Sequence, residues 1–184
     1  ALFLSQFDFQ GNAKTYLDII AETLHKDFFA EKTGLAYTDP KMGELTMNAG
    51  VFNFSKESEE NTIALNFRYP QGVDTDAIKA NLEKLEGPKA VSLSEHGHVP
   101  HYVPVDDPMV ETLLSVYEKQ TGLKGHEQII GGGTFGRLLK RGVAYGAMFP
   151  GYVNTMHQAN EFTEVEDLYR AAAIYAEAIY ELIK

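Results

Sequence analysis

A glycine-rich stretch at residues 131–137, with the sequence GGGTFGR, is one of the places where the sequence could do chemistry. It follows a short apolar run and leads into a predicted short helix. Glycines let a backbone approach a ligand closely, and free N–H groups at a helix start attract an anion. Thr134 adds a hydroxyl and Arg137 a guanidinium. We therefore favour a loop that binds a substrate carboxylate.

Two other interpretations of this loop stay open. Gly131, Gly133 and Gly136 fit the G-x-G-x-x-G pattern of dinucleotide sites. Such sites also need a strand–turn–helix context and an acidic residue about 20 residues further on. The next predicted strand, 143–148, ends without an acidic residue. A tight structural turn that binds no ligand is the other alternative.

A histidine and an arginine elsewhere in the sequence are further candidates. His157 lies in a loop before the last predicted helix, where open α/β sheets commonly bind ligands. Imidazole is a common metal ligand, and Glu161 could be a second one or could favour the nearby helix N-terminus. Arg68 could hold a carboxylate with both ends of its guanidinium, or it could be an ordinary surface residue.

Three more histidines, His96, His98 and His101, lie within six residues. Their spacing resembles a metal cluster, but Glu95 is the one acidic residue close by and Pro100 stiffens the segment. We interpret this stretch as a solvated linker.

The composition excludes several classes of protein. The 184 residues carry a net charge of -10, which argues against nucleic acid or an anionic membrane as partner. There is no cysteine, so disulfides and thiolate metal sites are excluded. No apolar run approaches the roughly 20 residues of a membrane span. The chain opens on ALFL, without Met or a basic segment, so we expect a cut into a longer, cytoplasmic protein rather than a signal peptide.

The first half of the chain is predicted to form a ββαβ unit after an opening helix. Apolar residues recur at helical spacing over 13–33. Alternating residues over 44–54 and 61–69 predict an antiparallel hairpin in which Arg68 shares a face with Asn66, Ala64 and Thr62. A helix at 75–86 and a strand at 89–95 complete the unit.

The second half is predicted to alternate helices and strands after a linker, with a domain boundary near residue 100. Asp107 and Pro108 are typical of a helix start, and Gly122 of a helix end. Thr163 and Glu166 have the spacing of a capping box at the start of the last helix. Between these two helices we predict a strand at 127–130, a short helix at 135–140 and a strand at 143–148.

These motifs together resemble the end of the M20 family of metallopeptidases, in its bacterial branch of Xaa-His dipeptidases. The resemblance covers essentially the whole chain. It lies in GGGTFGR, in PGYVNTMHQANEF at 150–162, and in MNAGVFNF and NTIALNFRYP at 47–54 and 61–70. The wider family has Thr-Asp-Ala-Arg after its glycines. Thr134-Phe135-Gly136-Arg137 is closer to the dipeptidase branch.

The resemblance implies an α/β fold in two parts. Residues 1–99 are expected to be the second part of a lid domain, with the ββαβ arrangement, and residues 100–184 the C-terminal part of a zinc-peptidase α/β domain. His157 is similar to the last ligand of a two-zinc centre, and Arg68 to the lid arginine that holds the substrate's C-terminal carboxylate. The substrate-cradling loop of the family is matched by Gly132, Gly133, Thr134 and Arg137. Arg137 is expected at least to support the loop. Asn48 and Gly50 match a recurring lid turn.

The resemblance also implies metal-assisted hydrolysis of a dipeptide by two Zn²⁺ ions and a general-base Glu. The resemblance places the other ligands and that Glu in an N-terminal part, and no H-x-D segment that would start such a centre is expected in this chain. We therefore expect the isolated chain to be inactive, to bind zinc weakly and to need that part as its partner. Rival predictions are an M20 deacylase or aminoacylase, a non-catalytic α/β binding module and a nucleotide-binding domain. A monomer is expected.

Overall fold

The computed structural model describes residues 2–57, 61–85, 87–88, 90–94, 97–146 and 148–184. It divides into two compact units, Ala1–His101 and Tyr102–Lys184. Helices are combined with two small antiparallel sheets, which confirms the predicted α/β class. The assignment of the two parts to a lid and to a catalytic domain stays a prediction.

A long hairpin dominates the first unit. Strands β1 (Thr38–Asp39) and β2 (Gly43–Glu44) form a small sheet. Strands β3 (Thr46–Asn53) and β4 (Thr62–Arg68) pair antiparallel, which confirms the predicted hairpin. Side chains of β4 alternate between exposed and half-buried, as the two-residue period predicts. The half-buried ones pack on the core of this unit, together with Met47 of β3.

The opening helix is shorter than predicted. After a 3₁₀ turn at Leu4–Gln6, helix α1 covers Gly11–Asp18 and continues as a π-helical turn at Ile19–Leu24. The predicted helix at 13–33 is therefore wrong beyond Leu24. The reason is the buried carboxylate of Asp27, which accepts hydrogen bonds from the backbone N–H groups of Glu31 (2.8 Å) and Lys32 (3.1 Å). Side-chain bonds of this kind compete with the helical ladder.

Helix α2 (Thr75–Leu82) begins where predicted and ends four residues early. Its last turn tightens into bonds between residues three apart, such as Lys84 N–H to the carbonyl of Asn81. The strand predicted at 89–95 is absent from 90–94, because no described strand adds to the edges of the hairpin there. Lys89, Glu95 and His96 lie outside the described residues.

Two helices build the second unit. Helix α3 (Pro108–Thr121) confirms the predicted caps: Asp107 accepts the N–H of Met109 at 2.9 Å, and Gly122 is left-handed with φ of 70°. Helix α4 spans Val165–Ile183. The capping box is wrong, because Glu164 occupies the N-cap and no side chain caps the helix. The acidic residues of its first turn favour the helix dipole instead.

Between α3 and α4 the described chain is irregular except for a 3₁₀ helix at Phe135–Leu138, within the short helix predicted at 135–140. The strands predicted at 127–130 and 143–148 are not formed in 127–130, 143–146 or 148; Ala147 is not described. A strand needs a neighbour for its N–H and C=O groups. Neither run finds one among the described residues.

Helix α4 has two apolar faces. One packs against α3, where Ile174 is 1% exposed in a core shared with Val116 and Phe149. The Tyr175 hydroxyl donates to the carbonyl of Tyr145 at 3.1 Å, and the Tyr145 hydroxyl to the carbonyl of Leu113 at 2.6 Å. None of the described helices combines the length and the hydropathy that a membrane span requires. The other face of α4 is exposed, with Val165, Leu168, Tyr169, Ile179, Tyr180 and Ile183.

Candidate functional site

Arg68 lies at the end of β4 on the exposed face of the hairpin. The register places Thr46 directly opposite Arg68 and Asn48 directly opposite Asn66. Paired residues of neighbouring strands share a face, with β-carbons about 5 Å apart. A guanidinium is thus surrounded by one hydroxyl and two amides, with no acidic side chain in the set. Among the described residues no hydrogen bond or ion pair engages the Arg68 side chain.

A β-bulge at Gly50 limits this polar cluster. Ala49 pairs with Leu65 and Val51 with Ala64, so Gly50 is the extra residue between them. A β-carbon added at Gly50 would lie 3.5 Å from Nδ2 of Asn48, which places the Asn48 amide beside the bulge. Asn48 and Gly50, predicted as a lid turn, are therefore neighbours within a strand.

The Arg137 side chain covers part of the glycine loop. A β-carbon added at Gly133 would collide with the guanidinium of Arg137, so this side chain lies across the α-carbon of Gly133. No atom comes within 4 Å of the corresponding position at Gly132, so that part of the loop is open. The structure thus brings Gly133 and Arg137 together and leaves Gly132 accessible.

The sequence after the glycines is too short and irregular for a dinucleotide site. A dinucleotide loop connects a strand to an α-helix whose N–H groups face the phosphates. Here residues 127–130 form no strand, and the 3₁₀ helix Phe135–Leu138 has four residues. The nucleotide interpretation of Gly131, Gly133 and Gly136 therefore lacks its structural context.

His157 lies in a tightly bonded loop and is exposed. Its backbone is left-handed, with φ of 63°, and so is that of Asn160, with φ of 61°. The backbone N–H of His157 donates to Oε2 of Glu161 at 3.2 Å. Thr155 closes the loop, because its hydroxyl oxygen accepts the N–H of Phe162 at 3.2 Å. Glu161 thus holds the backbone of His157 rather than the start of α4, and the imidazole projects from a fixed turn.

The described residues do not by themselves hold a catalytic zinc ion. Such a site uses about three protein ligands, commonly imidazoles and carboxylates. No group of three or more His, Cys, Asp or Glu side chains that could hold a metal ion occurs in the described part of the chain. His157 can offer one imidazole. Its loop borders a shallow pocket whose lining includes Tyr152, Phe162 and Asp167.

One pair near the glycine loop could not be predicted from spacing. Arg141 donates from Nε to Oδ2 of Asp107 at 3.0 Å and from Nη2 to Oδ1 at 2.7 Å. The Arg141 guanidinium, followed by the N–H of Met109, lowers the pKa of Asp107 below its ordinary value. The carboxylate is therefore ionised at neutral pH. The two residues are 34 positions apart, and no motif links them.

The predicted site residues fall in both units. Arg68 belongs to the first unit, and the glycine loop and His157 to the second. Within each unit the structure shows their local settings: a polar strand face, an arginine-covered loop and a left-handed turn. Their roles in binding a substrate or a metal remain proposals.

We predict that Gly133→Ala displaces the Arg137 guanidinium, because the new methyl group takes its place. Gly132→Ala is the matched control, since its methyl group meets no atom within 4 Å. Both variants should keep the thermal stability of the 184-residue chain to within ~0.5 kcal/mol, as is usual for surface sites. The measurement is the Nε–H resonance of Arg137 in ¹H–¹⁵N spectra. Equal shifts in the two variants would contradict the contact.

Comparison with known proteins identifies the family. The sequence profile described as Peptidase family M20/M25/M40 matches residues 11–181. The Beta-Ala-Xaa dipeptidase of Lactobacillus delbrueckii subsp. lactis is 49% identical over 185 residues, which cover 100% of this chain and 39% of that protein. The protein named "Putative dipeptidase YtjP" of Bacillus subtilis (strain 168) is 37% identical over 183 residues, 99% of this chain and 39% of its own length. The chain spans about two fifths of these relatives and belongs to the peptidase family M20/M25/M40.

Proposed function

We propose that the complete protein is a zinc-dependent dipeptidase to which this chain contributes substrate-binding groups and one metal ligand. The observation that carries the proposal is the 49% identity, over the whole chain, to a protein named Beta-Ala-Xaa dipeptidase. Names of other relatives also describe dipeptidases, so an acylated substrate is the less favoured one. A cytoplasmic location is part of the proposal, on the acidic and cysteine-free composition.

Arg68 is proposed to bind the C-terminal carboxylate of the dipeptide. Its guanidinium stands on an exposed strand face beside Thr46, Asn48 and Asn66, which supply neutral hydrogen-bonding groups. Arg matches a carboxylate with two parallel N–H···O bonds, which fixes orientation as well as position. A substrate carboxylate therefore meets no competitor for this guanidinium among the described side chains.

The glycine loop is proposed to bind the backbone of the dipeptide. Gly132 leaves its surroundings open, which lets a peptide approach the main chain closely. Thr134 contributes a hydroxyl that can donate or accept. Arg137, lying across Gly133, fixes the shape of the loop and places a positive charge on it. These groups bind and orient the substrate, which is a large part of the work in bringing reactants together.

His157 is proposed to be one ligand of a centre of two zinc ions whose other ligands lie in the rest of the protein. The left-handed turn and the Glu161 bond hold the backbone from which the imidazole projects. Zinc, when bound, acts as a Lewis acid and lowers the pKa of water. Since the described residues offer too few ligands, the isolated chain should bind zinc weakly and should not catalyse hydrolysis.

We expect the complete protein, with added Zn²⁺, to hydrolyse a β-Ala- or Ala-His dipeptide and to leave its N-acetylated form intact. A dipeptidase needs the free amino end, whereas a deacylase needs the acylated one. Chromatography measures free His as the product of dipeptide hydrolysis, and acetate together with intact dipeptide as the products of deacylation. Preference for the acetylated compound would replace the proposal with the deacylase. Robust turnover by the 184-residue chain alone would contradict the need for the rest of the protein.

In the complete protein, Arg68→Ala should lower kcat/KM for the dipeptide about 30-fold, equivalent to ~2 kcal/mol, because the carboxylate loses a charged bidentate partner. Arg68→Lys keeps the charge but not the fork, so a loss of about tenfold is expected. Thr62→Ala, on the same strand face at its other end, is the control. With the native enzyme, a substrate that carries an amide in place of the C-terminal carboxylate should show the same loss of kcat/KM. With Arg68→Ala, the amide should cause no further loss. A full effect of the amide on both proteins would exclude this role.

We expect His157→Ala to reduce the zinc bound per complete protein after dialysis and to reduce dipeptide hydrolysis in parallel, because a ligand is lost. His126→Ala is the matched control, since His126 is an exposed histidine of the same unit. Metal content by plasma mass spectrometry and unfolding temperature are measured together. Unchanged zinc content in the His157 variant would rule out its role as a ligand.

A further inference from the structure

Asp107 makes two kinds of contact at once. Its carboxylate caps α3 through the N–H of Met109 at 2.9 Å, and it accepts both donors of the Arg141 fork. The Asp107 side chain is 15% exposed and that of Arg141 is 62% exposed. The start of a long helix is thereby joined to the segment that follows the glycine loop, whose Val143 and Tyr145 also pack on the core of this unit.

The segment that Arg141 holds is packed backbone to backbone against the glycine loop. A β-carbon added at Gly136 would lie 2.9 Å from the carbonyl carbon of Val143, and one added at Gly142 would collide with the Gly136 carbonyl oxygen. Gly142 N–H donates to the carbonyl of Leu139 at 3.2 Å, and Leu139 N–H to that of Gly136 at 3.1 Å. Residues 136–142 therefore form a closed turn whose backbone segments are in close contact.

This turn leads directly to the substrate-binding groups of the proposed function. Arg137 follows Gly136, and its guanidinium covers Gly133. The N–H of Arg137 donates to the carbonyl of Thr134 at 3.3 Å. A continuous set of contacts thus runs from the N-terminus of α3, through Arg141 and the Gly136–Gly142 contact, to the loop.

We propose that the Asp107–Arg141 pair is a positioning device that fixes the glycine loop in its substrate-binding shape. The inference rests on the proposed function for the role of the loop, but the mechanical link itself rests on the contacts alone. Neither residue is placed in contact with the substrate; both act through Gly133, Thr134 and Arg137.

A merely structural role for the pair makes different predictions. An ion pair whose cation is largely exposed contributes little to stability. Asn is as good an N-cap as Asp, so Asp107→Asn keeps the cap of α3 while it removes the charged, bidentate partner of Arg141. If the pair only supports α3, Asp107→Asn should therefore change neither the hydrogen exchange near the glycine loop nor the KM for the dipeptide. If it positions the loop, Asp107→Asn should behave like Arg141→Ala.

The test uses the complete protein with Arg141→Ala, Arg141→Lys and Asp107→Asn. Lys119→Ala, which removes another exposed cation paired to a carboxylate in the same unit, is the control. Hydrogen exchange measured by mass spectrometry should be about tenfold faster in residues 137–142, where the N–H groups of Arg137, Leu139 and Gly142 are hydrogen-bonded, for Arg141→Ala and Asp107→Asn, and unchanged for Lys119→Ala. Arg141→Lys, which keeps the charge without the fork, should restore part of the protection.

The kinetic readout is a split between KM and kcat. KM for the dipeptide should rise about tenfold with a smaller change in kcat, because the loop binds rather than reacts, and zinc content should stay native. Native exchange in 137–142 for both Arg141→Ala and Asp107→Asn would overturn the proposal, whatever the activity. Faster exchange in a protein that hydrolyses no dipeptide would leave the link intact and refute the proposed function alone.

Discussion

Backbone pairing is the constraint on which the rest of the structure depends. An extended segment becomes a β-strand only when another strand lies about 4.8 Å away and bonds its N–H and C=O groups. β3 and β4 meet this condition with each other. The apolar runs at 127–130 and 143–146 find no partner among the residues described, and they stay irregular although their composition favours strands. Strand pairing therefore determines that Arg68 lies on a sheet, whereas the glycine loop and His157 lie in turns.

Arg68 rests on the sheet, and the bulge at Gly50 decides what surrounds it. On the near side of the bulge, the exposed face presents the amides of Asn48 and Asn66. On the far side, the shifted register puts Val51, 53% exposed, opposite Ala64. One inserted residue thus separates the polar side chains beside Arg68 from the apolar pair Val51 and Ala64.

Local patterns predicted the hairpin and the caps of α3 well, the capping box of α4 wrongly, and tertiary contacts poorly. The caps of α3 and the hairpin follow from residue types and spacing, and they are as expected. The helix at 13–33 had the right period, but the carboxylate of Asp27 bonds to backbone N–H groups after Leu24, and no period reports such competition. The candidate site shows the same division. Gly133 and Arg137 belong to one short sequence motif that can be recognised from residue types alone. The pairing of Asp107 with Arg141 instead depends on a fold that brings distant positions together.

The outer face of α4 has a consequence for how the isolated chain behaves in water. Contiguous exposed apolar side chains on one helix attract one another between molecules. The net charge of -10 opposes this attraction, because acidic molecules repel at long range. At 0.1 M ionic strength, that repulsion extends only about 10 Å. Ionic strength therefore sets whether preparations of the chain stay dispersed or cluster, and dilute buffers should keep them apart.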